Sequence, residues 1–282
     1  MPIPLESTLA DIDWSLLWRN ARKQKSWSSK GAADWDKKAE SFASRNAGSC
    51  YSSLLLDKLP LTPDLTVLDM GSGPGTLAIP LAARVRSVTA VDYSSRMLEV
   101  LTRTAQEENI ANISTIQGAW EDDWQQLGIG QHDIAIASRS LAVEDLAAAL
   151  RKLNAIARKY VFIADRITPT PFDPGAFAAV GRDFQSGPDY IYTFNILYSL
   201  GIHPCIDILH LERDIVFANM DEAVQAYGWM LKDLSPKEED ALRGYLVSRI
   251  IHTAGKQITI RREHPPRWAL IWWRKEITPE AC

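Results

Sequence analysis

Val67-Leu68-Asp69-Met70-Gly71-Ser72-Gly73-Pro74-Gly75-Thr76 is the stretch on which the reading of this chain turns. An apolar run meets an acid, then glycines at alternate positions, then a helix-forming segment. Glycine lacks a Cβ, so such a turn adopts backbone angles closed to other residues and lets a ligand approach the main chain. The unpaired N–H groups of a following helix face the same space. A strand, a glycine turn and a helix in this order form a binding unit for a nucleotide-like cofactor.

The spacing separates one cofactor class from another. Dinucleotide sites read G-x-G-x-x-G and seat a pyrophosphate at the helix start. Here the glycines read G-x-G-x-G, and Thr76 stands where the third fingerprint glycine belongs. Asp69, two residues before Gly71, would repel a diphosphate and attract a cation. Downstream, Ser87 to Ser94 reads as a strand ending in Asp92, 17 residues after Gly75. A carboxylate at that strand tip can accept both hydroxyls of a ribose. Ser94 then caps a helix through Met97, Leu98 and Leu101.

Taken in order, these segments resemble the motifs of the class I S-adenosylmethionine (SAM)-dependent methyltransferases, small-molecule enzymes of the "type 11" kind in particular. The resemblance is good over about residues 32 to 165 and loose beyond. It implies a doubly wound, Rossmann-like α/β fold with a seven-stranded sheet and an antiparallel last strand. It implies SAM as cofactor and S-adenosylhomocysteine (SAH) as product. Asp69, Gly71, Ser72, Gly73, Gly75 and Thr76 would line the methionine part of SAM, and Asp92 the ribose. Tyr93 and Met97 would cover the adenine. Ile113 to Asp122 reads as strand three and the adenine loop. Ala119 occupies a position where many relatives carry Asp, leaving Trp120 to stack on the base and Glu121 to take its amino group. Strand four, Asp133 to Ser138, ends at Ser138-Arg139-Ser140, beneath the sulfonium.

Alternating strands and helices imply a parallel sheet with right-handed crossovers. Helices are expected over Asp11–Lys23, Gly31–Arg45, Glu144–Lys159, Asp189–Leu200, Asp221–Leu231 and Pro236–His252. The last starts with Ser235 as cap, Pro236 and the capping-box acid Glu238. Strand five is expected at Tyr160–Asp165, strand six at Cys205–Phe217, and later strands at Gln257–Arg262 and Arg267–Lys275. Pro80 should shorten or bend the first core helix. The organisation expected is N-terminal helices over the cofactor in residues 1–60 and a SAM-binding core in 61–167. A lid loop and helix follow in 168–205. Residues 206–282 hold strand six, a helical cap at 221–252 and the closing strands. The Thr168–Pro188 segment, rich in Pro and Gly, is either a lid or a plain surface excursion.

The chain has 282 residues, 46% hydrophobic, with a formal net charge of −4. That charge argues against a nucleic-acid partner, which calls for a basic face. Arg261, Arg262, Arg267, Arg274 and Lys275 form one basic cluster. Cys50, Cys205 and Cys282 make neither a disulfide framework nor a metal motif, so no metal is expected. Met1–Trp18 is not a signal peptide, and no run reaches the ~20 apolar residues of a membrane span. A cytoplasmic monomer or homodimer with a small-molecule partner is the expectation.

Methyl transfer asks mainly for positioning of the nucleophile ~3 Å from the methyl carbon. A base is needed only for a nucleophile of high pKa, so catalytic motifs are sparse. His203, His210 and Arg139 are the catalytic candidates, the last as an anchor for an anionic group. Trp18, Trp35, Trp120 and Trp229 are candidates for an aromatic pocket. No Asn-Pro-Pro-Tyr follows strand four, and Pro204-Cys205 is misplaced for a cysteine nucleophile. The alternatives are an RNA or protein methyltransferase docking through Arg261–Lys275, and a SAM-binding regulator without chemistry.

Overall fold

A computed structural model describes residues 8–26, 31–46, 50–212 and 214–275. Residues 1–7 of the N-terminal segment weighed above, and Cys282, lie outside the described residues. The strands are β1 Thr66–Met70, β2 Ser87–Asp92, β3 Ile113–Gln117, β4 His132–Ser138, β5 Ala157–Arg166, β6 Cys205–His210, β7 Asp214–Phe217, β8 Ile250–Ala254, β9 Gln257–Arg261 and β10 Arg267–Arg274. The helices are α1 Trp14–Gln24, α2 Ala32–Asp36, α3 Ala39–Asn46, α4 Tyr51–Leu56, α5 Ala78–Ala82, α6 Ser95–Glu107, α7 Leu146–Ile156, α8 Pro174–Ala179, α9 Tyr190–Ser199, α10 Met220–Tyr227 and α11 Pro236–Ser248.

The near-continuous apolar runs of β1, β4 and β10 are buried on both faces, as strands covered by helices on either side must be. They lie in a seven-stranded sheet of order β3-β2-β1-β4-β5-β10-β6. β10 runs antiparallel to both its neighbours, while β1 through β5 pair in parallel. One apolar layer joins Leu150 and Leu153 of α7, Ile196 and Leu197 of α9 and Trp18 of α1 to Ile163 and Ile271 of the sheet. The opposite layer joins Leu55, Leu81, Leu98 and Leu101 to Phe162 and Leu270. Asp145, Ser94 and Asp189 cap α7, α6 and α9 through side-chain oxygens. Pro80 sits inside α5, which is only five residues long.

The expected strand over 205–217 is two strands in two sheets. Pro265 and Pro266 precede β10, and proline cannot donate to a ladder. Leu211 N–H bonds Pro266 O, and main-sheet pairing ends there. β7 pairs instead with β9 in a separate three-stranded sheet of order β7-β9-β8. The expected helix 236–252 likewise stops at Ser248. Its tail carries Ile250, Ile251 and Thr253, β-branched residues that fit a strand, and the two-residue turn Gly255-Lys256 (Gly255 φ 62°) folds β8 onto β9. The α11 start is as expected, with the Ser235–Glu238 capping box formed. The expected helix 31–45 is broken into α2 and α3 around Lys37-Lys38, and the 168–188 loop contains α8.

The small sheet, α8, α10 and α11 share an apolar cluster of their own, including Phe172, Phe217, Leu231, Leu242 and Ile260. Asp173, 2% exposed, accepts hydrogen bonds from Tyr227 (3.0 Å) and Tyr245 (2.9 Å) within it. The chain enters this unit after β5 and after β6 and leaves it before β10. Each of these crossings is at the carboxyl edge of the parallel strands, where open α/β sheets bind ligands.

Candidate active site

The glycine turn leaves β1 with all three glycines at positive φ: Gly71 77°, Gly73 55° and Gly75 90°. Their needs differ. A Cβ on Gly71 would stand 2.2 Å from the Ser140 Cβ, and one on Gly75 2.4 Å from Leu101 Cδ1. Those two positions are glycine because the protein itself packs against them. A Cβ on Gly73 would meet nothing within 4 Å. Its α-carbon borders open space. The turn is pinned to β2, since Gly71 N–H (2.7 Å) and Ser72 N–H (3.0 Å) both donate to Val91 O.

Asp92 ends β2. Its Oδ2 accepts from Gly73 N–H (2.8 Å) and its Oδ1 from Ser94 N–H (2.9 Å). Each carboxylate oxygen retains capacity for a second donor. Burial raises the Asp92 pKa, opposed by those backbone donors. Asp69 is 1% exposed, and neither of its carboxylate oxygens has a hydrogen-bond partner. Burial, reinforced by the Asp92 charge, pushes its carboxyl up to about 7. The Ser72 hydroxyl is also buried without a partner. Native interiors leave few polar groups unsatisfied, so Asp69 and Ser72 could serve a polar, cationic ligand at this turn. SAM, with its ammonium and sulfonium groups and its ribose, fits that donor and acceptor set.

The remaining candidates divide. Ser138 and Ser140 come to the turn from the end of β4. Ser140 Oγ donates to Met70 O at 2.7 Å, and Ser138 Oγ lies 2.6 Å from the Tyr51 hydroxyl. Tyr93 is exposed at the tip of β2. Thr76 is half-buried in the turn before α5. Met97 is 2% exposed and packs under Ala39 of α3 with Val100, so it is a core residue and not an adenine cover. Trp120 is likewise turned inward: its indole N–H donates to Ser140 O (3.1 Å) and its ring rests on Trp124. The acid engaged in this loop is Asp122, which accepts from Ala119 N–H (2.8 Å), while Glu121 is exposed.

Arg139 has a left-handed backbone (φ 58°), and its guanidinium lies over the rings of Tyr51 (4.2 Å), Trp268 (5.5 Å) and Phe42 (5.7 Å). A cation over ring faces is a packing arrangement in place of the anion anchor expected. His203 precedes β6 and so sits at the amino edge of the sheet, roughly 20 Å along the strand from the carboxyl edge. It packs on Tyr198 and takes no part in this site. His210 ends β6 at the right edge, but three strand spacings from β4, roughly 14 Å, and exposed. The basic cluster also disperses. Arg261 pairs with Asp214 (2.7 Å), Arg262 is buried on Pro171 O and Phe172 O, and Lys275 donates to Asn154. Arg267 and Arg274 stand at opposite ends of β10.

Residues outside the motifs complete the surroundings. Asp36 of α2 accepts from Ser94 Oγ (2.6 Å), the cap of α6. Trp18 and Arg22 of α1 donate to Val143 O, in the loop after β4. Tyr51 is buried, and burial raises its pKa, keeping the phenol protonated. Its partner Ser138 is 87 positions away, beyond any local signal. Of the sequence candidates only Trp35, next to Asp36, hinted at this contact region.

A methyltransferase domain family model matches residues 67–160. An uncharacterized protein of Haemophilus influenzae is 34% identical over 242 residues, 85% of this chain and 88% of that protein. A protein of Methanocaldococcus jannaschii named a probable cobalt-precorrin-6B C(15)-methyltransferase (decarboxylating) is 36% identical over 67 residues, 24% of this chain and 37% of its own length. Among solved structures, the YcgJ protein of a Bacillus superposes with a TM-score of 0.54 at 17% identity, over 80% of this chain and 97% of that one.

Proposed function

The chain belongs to the class I SAM-dependent methyltransferases, with SAM as cofactor, and we propose that it methylates a small or medium organic molecule at the carboxyl edge of the sheet. The observation that carries this reading is the cover over that edge. Residues of α1, α2, α3 and α4 reach the loops after β2 and β4 through Trp18, Asp36, Phe42 and Tyr51. The unit of α8, α10, α11 and the small sheet is threaded onto the same edge. Such a roof suits an acceptor that can be enclosed. The dispersed basic residues of 261–275 count against docking of RNA. The Methanocaldococcus relative is named for a precorrin substrate, which accords with a small acceptor.

Asp69 and Ser72 would hold the methionine part of the cofactor, Gly73 would let it lie against the backbone, and Asp92 would take the ribose. Bound SAM supplies a methyl group on a positively charged sulfur, open to in-line displacement by the acceptor. The residues of this chain orient and enclose. Trp18 and Arg22 tether α1 over the loop after β4, and Asp36 ties α2 to the end of β2. Tyr51, kept protonated by burial, shares a hydrogen bond with Ser138 at the tip of β4 and positions it. Rate then comes from alignment of the acceptor with the scissile bond.

The test is transfer of label from methyl-tritiated SAM into fractions of a cell extract. Label in the dialysable fraction is the expected result. Label confined to RNA or protein would overturn the small-molecule reading.

A further inference from the structure

Beside the roofed edge lies a cationic site that the motifs do not use. Arg166 ends β5, and its Nη1 donates to Ser186 O at 2.8 Å. The adjacent residue, Gly187 (φ 76°), carries the Lys25 side chain against its α-carbon; a Cβ there would come within 2.8 Å of Lys25 Cβ and 3.2 Å of Lys25 Cδ. Lys25 and Arg166 are thus brought together over Ser186-Gly187. Ser26 and Gln185 bond each other twice, at 2.9 and 2.8 Å, and fasten the end of α1 to this loop.

We propose that Lys25 and Arg166 bind a carboxylate or phosphate group of the methyl acceptor. Among the described residues Lys25 Nζ has neither a hydrogen-bond nor an ion-pair partner, and Arg166 has no ion pair within 4.0 Å. The acids nearby, Asp165 and Asp189, act on Arg166 by charge without an ion pair, and their hydrogen bonds go elsewhere. Asp165 accepts from Thr193 Oγ1 (2.6 Å) and from Arg166 N–H, and Asp189 caps α9 and takes the Thr168 hydroxyl. Arg22 adds positive charge while its Nη1 and Nη2 serve Val143 O and Ala142 O. Burial and the charges of Arg166 and Arg22 press the Lys25 ammonium down to about 8, a repulsion that an incoming anion relieves. Unpaired, half-buried cations of this kind attract anionic oxygens by charge-assisted hydrogen bonds. Arg166 stands two strand spacings from β1, roughly 10 Å, so an anion held there leaves the length of a small organic molecule between it and the glycine turn. The inference rests on the small-molecule reading above and names its substrate class.

Benzoate and inorganic phosphate serve as probes, titrated calorimetrically into the SAH-loaded protein. The wild type should bind one of them, and the better probe assigns carboxylate or phosphate. Lys25→Gln and Arg166→Gln should each weaken that binding roughly tenfold with SAH affinity unchanged. Should Arg166→Gln fail to fold, Lys25→Gln alone decides. A wild type that binds SAH but neither probe, or a Lys25→Gln variant that binds the probe as tightly as wild type, overturns the anion site and leaves the small-molecule reading standing. Label entering only RNA or protein in the extract experiment overturns that reading, whatever the probes do.

Discussion

The three glycines of one turn carry different loads, and substitution should separate them. Gly73→Ala places a methyl in open space at a cost of about 1 kcal/mol for its left-handed backbone. The variant should fold and lose SAM affinity, because the methyl occupies the approach to the main chain. Gly71→Ala drives a Cβ onto Ser140 and should lower Tm sharply before any binding is measured. Equal effects of the two on Tm would contradict the assignment of the open face. Asp69 offers a test by pH. Folding raises its carboxyl from 3.8 to about 7. Between those values the unfolded chain has released the proton and the folded one retains it, so ligand-free stability falls as pH rises and the loss is complete above about 7. Asp69→Asn should therefore raise Tm at pH 8, with up to about 4 kcal/mol involved, and change it little below pH 4. A cationic ligand reverses the preference, so SAM binding at pH 6 should release close to one proton, read from binding heats in buffers of different ionisation enthalpy. Binding with no proton release would show that Asp69 does not face the cation.

At the scale of elements, the strands around the turn were legible because each is an apolar run ended by a polar tip. The caps Ser94 and Ser235 were legible because their partners lie three residues away. In the small sheet β9 was legible as a strand, but β8 was not, since it follows directly on a helix and is exposed along most of its length. Nor were Tyr51, Asp36 and Arg22, whose contacts span 87, 58 and 121 positions; such pairings leave no periodicity to read. Trp120 and Met97 were misread for a related reason, because a large apolar residue beside a motif looks the same in sequence whether it faces ligand or core. The docking of α2 is testable by itself. Asp36→Ala removes its tie to Ser94 while leaving Ser94 as the cap of α6. Hydrogen exchange in α2 should accelerate and SAM affinity should fall several-fold, in line with about 1 kcal/mol for one hydrogen bond. Unaltered affinity would mean that α2 does not enclose the cofactor.

Across the whole molecule, a SAM-binding sheet and a smaller unit with its own core share one edge. The polar centre of that unit is Asp173, and Asp173→Asn should leave a tyrosine hydroxyl poorly satisfied, at about 1–3 kcal/mol, lowering the midpoint of chemical unfolding with SAM affinity unchanged. A parallel loss of SAM affinity would show that the two units are energetically one. The central claim is that the glycine turn and the tip of β2 jointly hold SAM. It is tested most directly by titrating SAM into Asp92→Ala beside wild type, with folding checked by circular dichroism. Loss of the charged acceptor at the ribose should weaken binding by a factor of roughly 10–100. A folded Asp92→Ala protein that binds SAM as tightly as wild type would contradict the account.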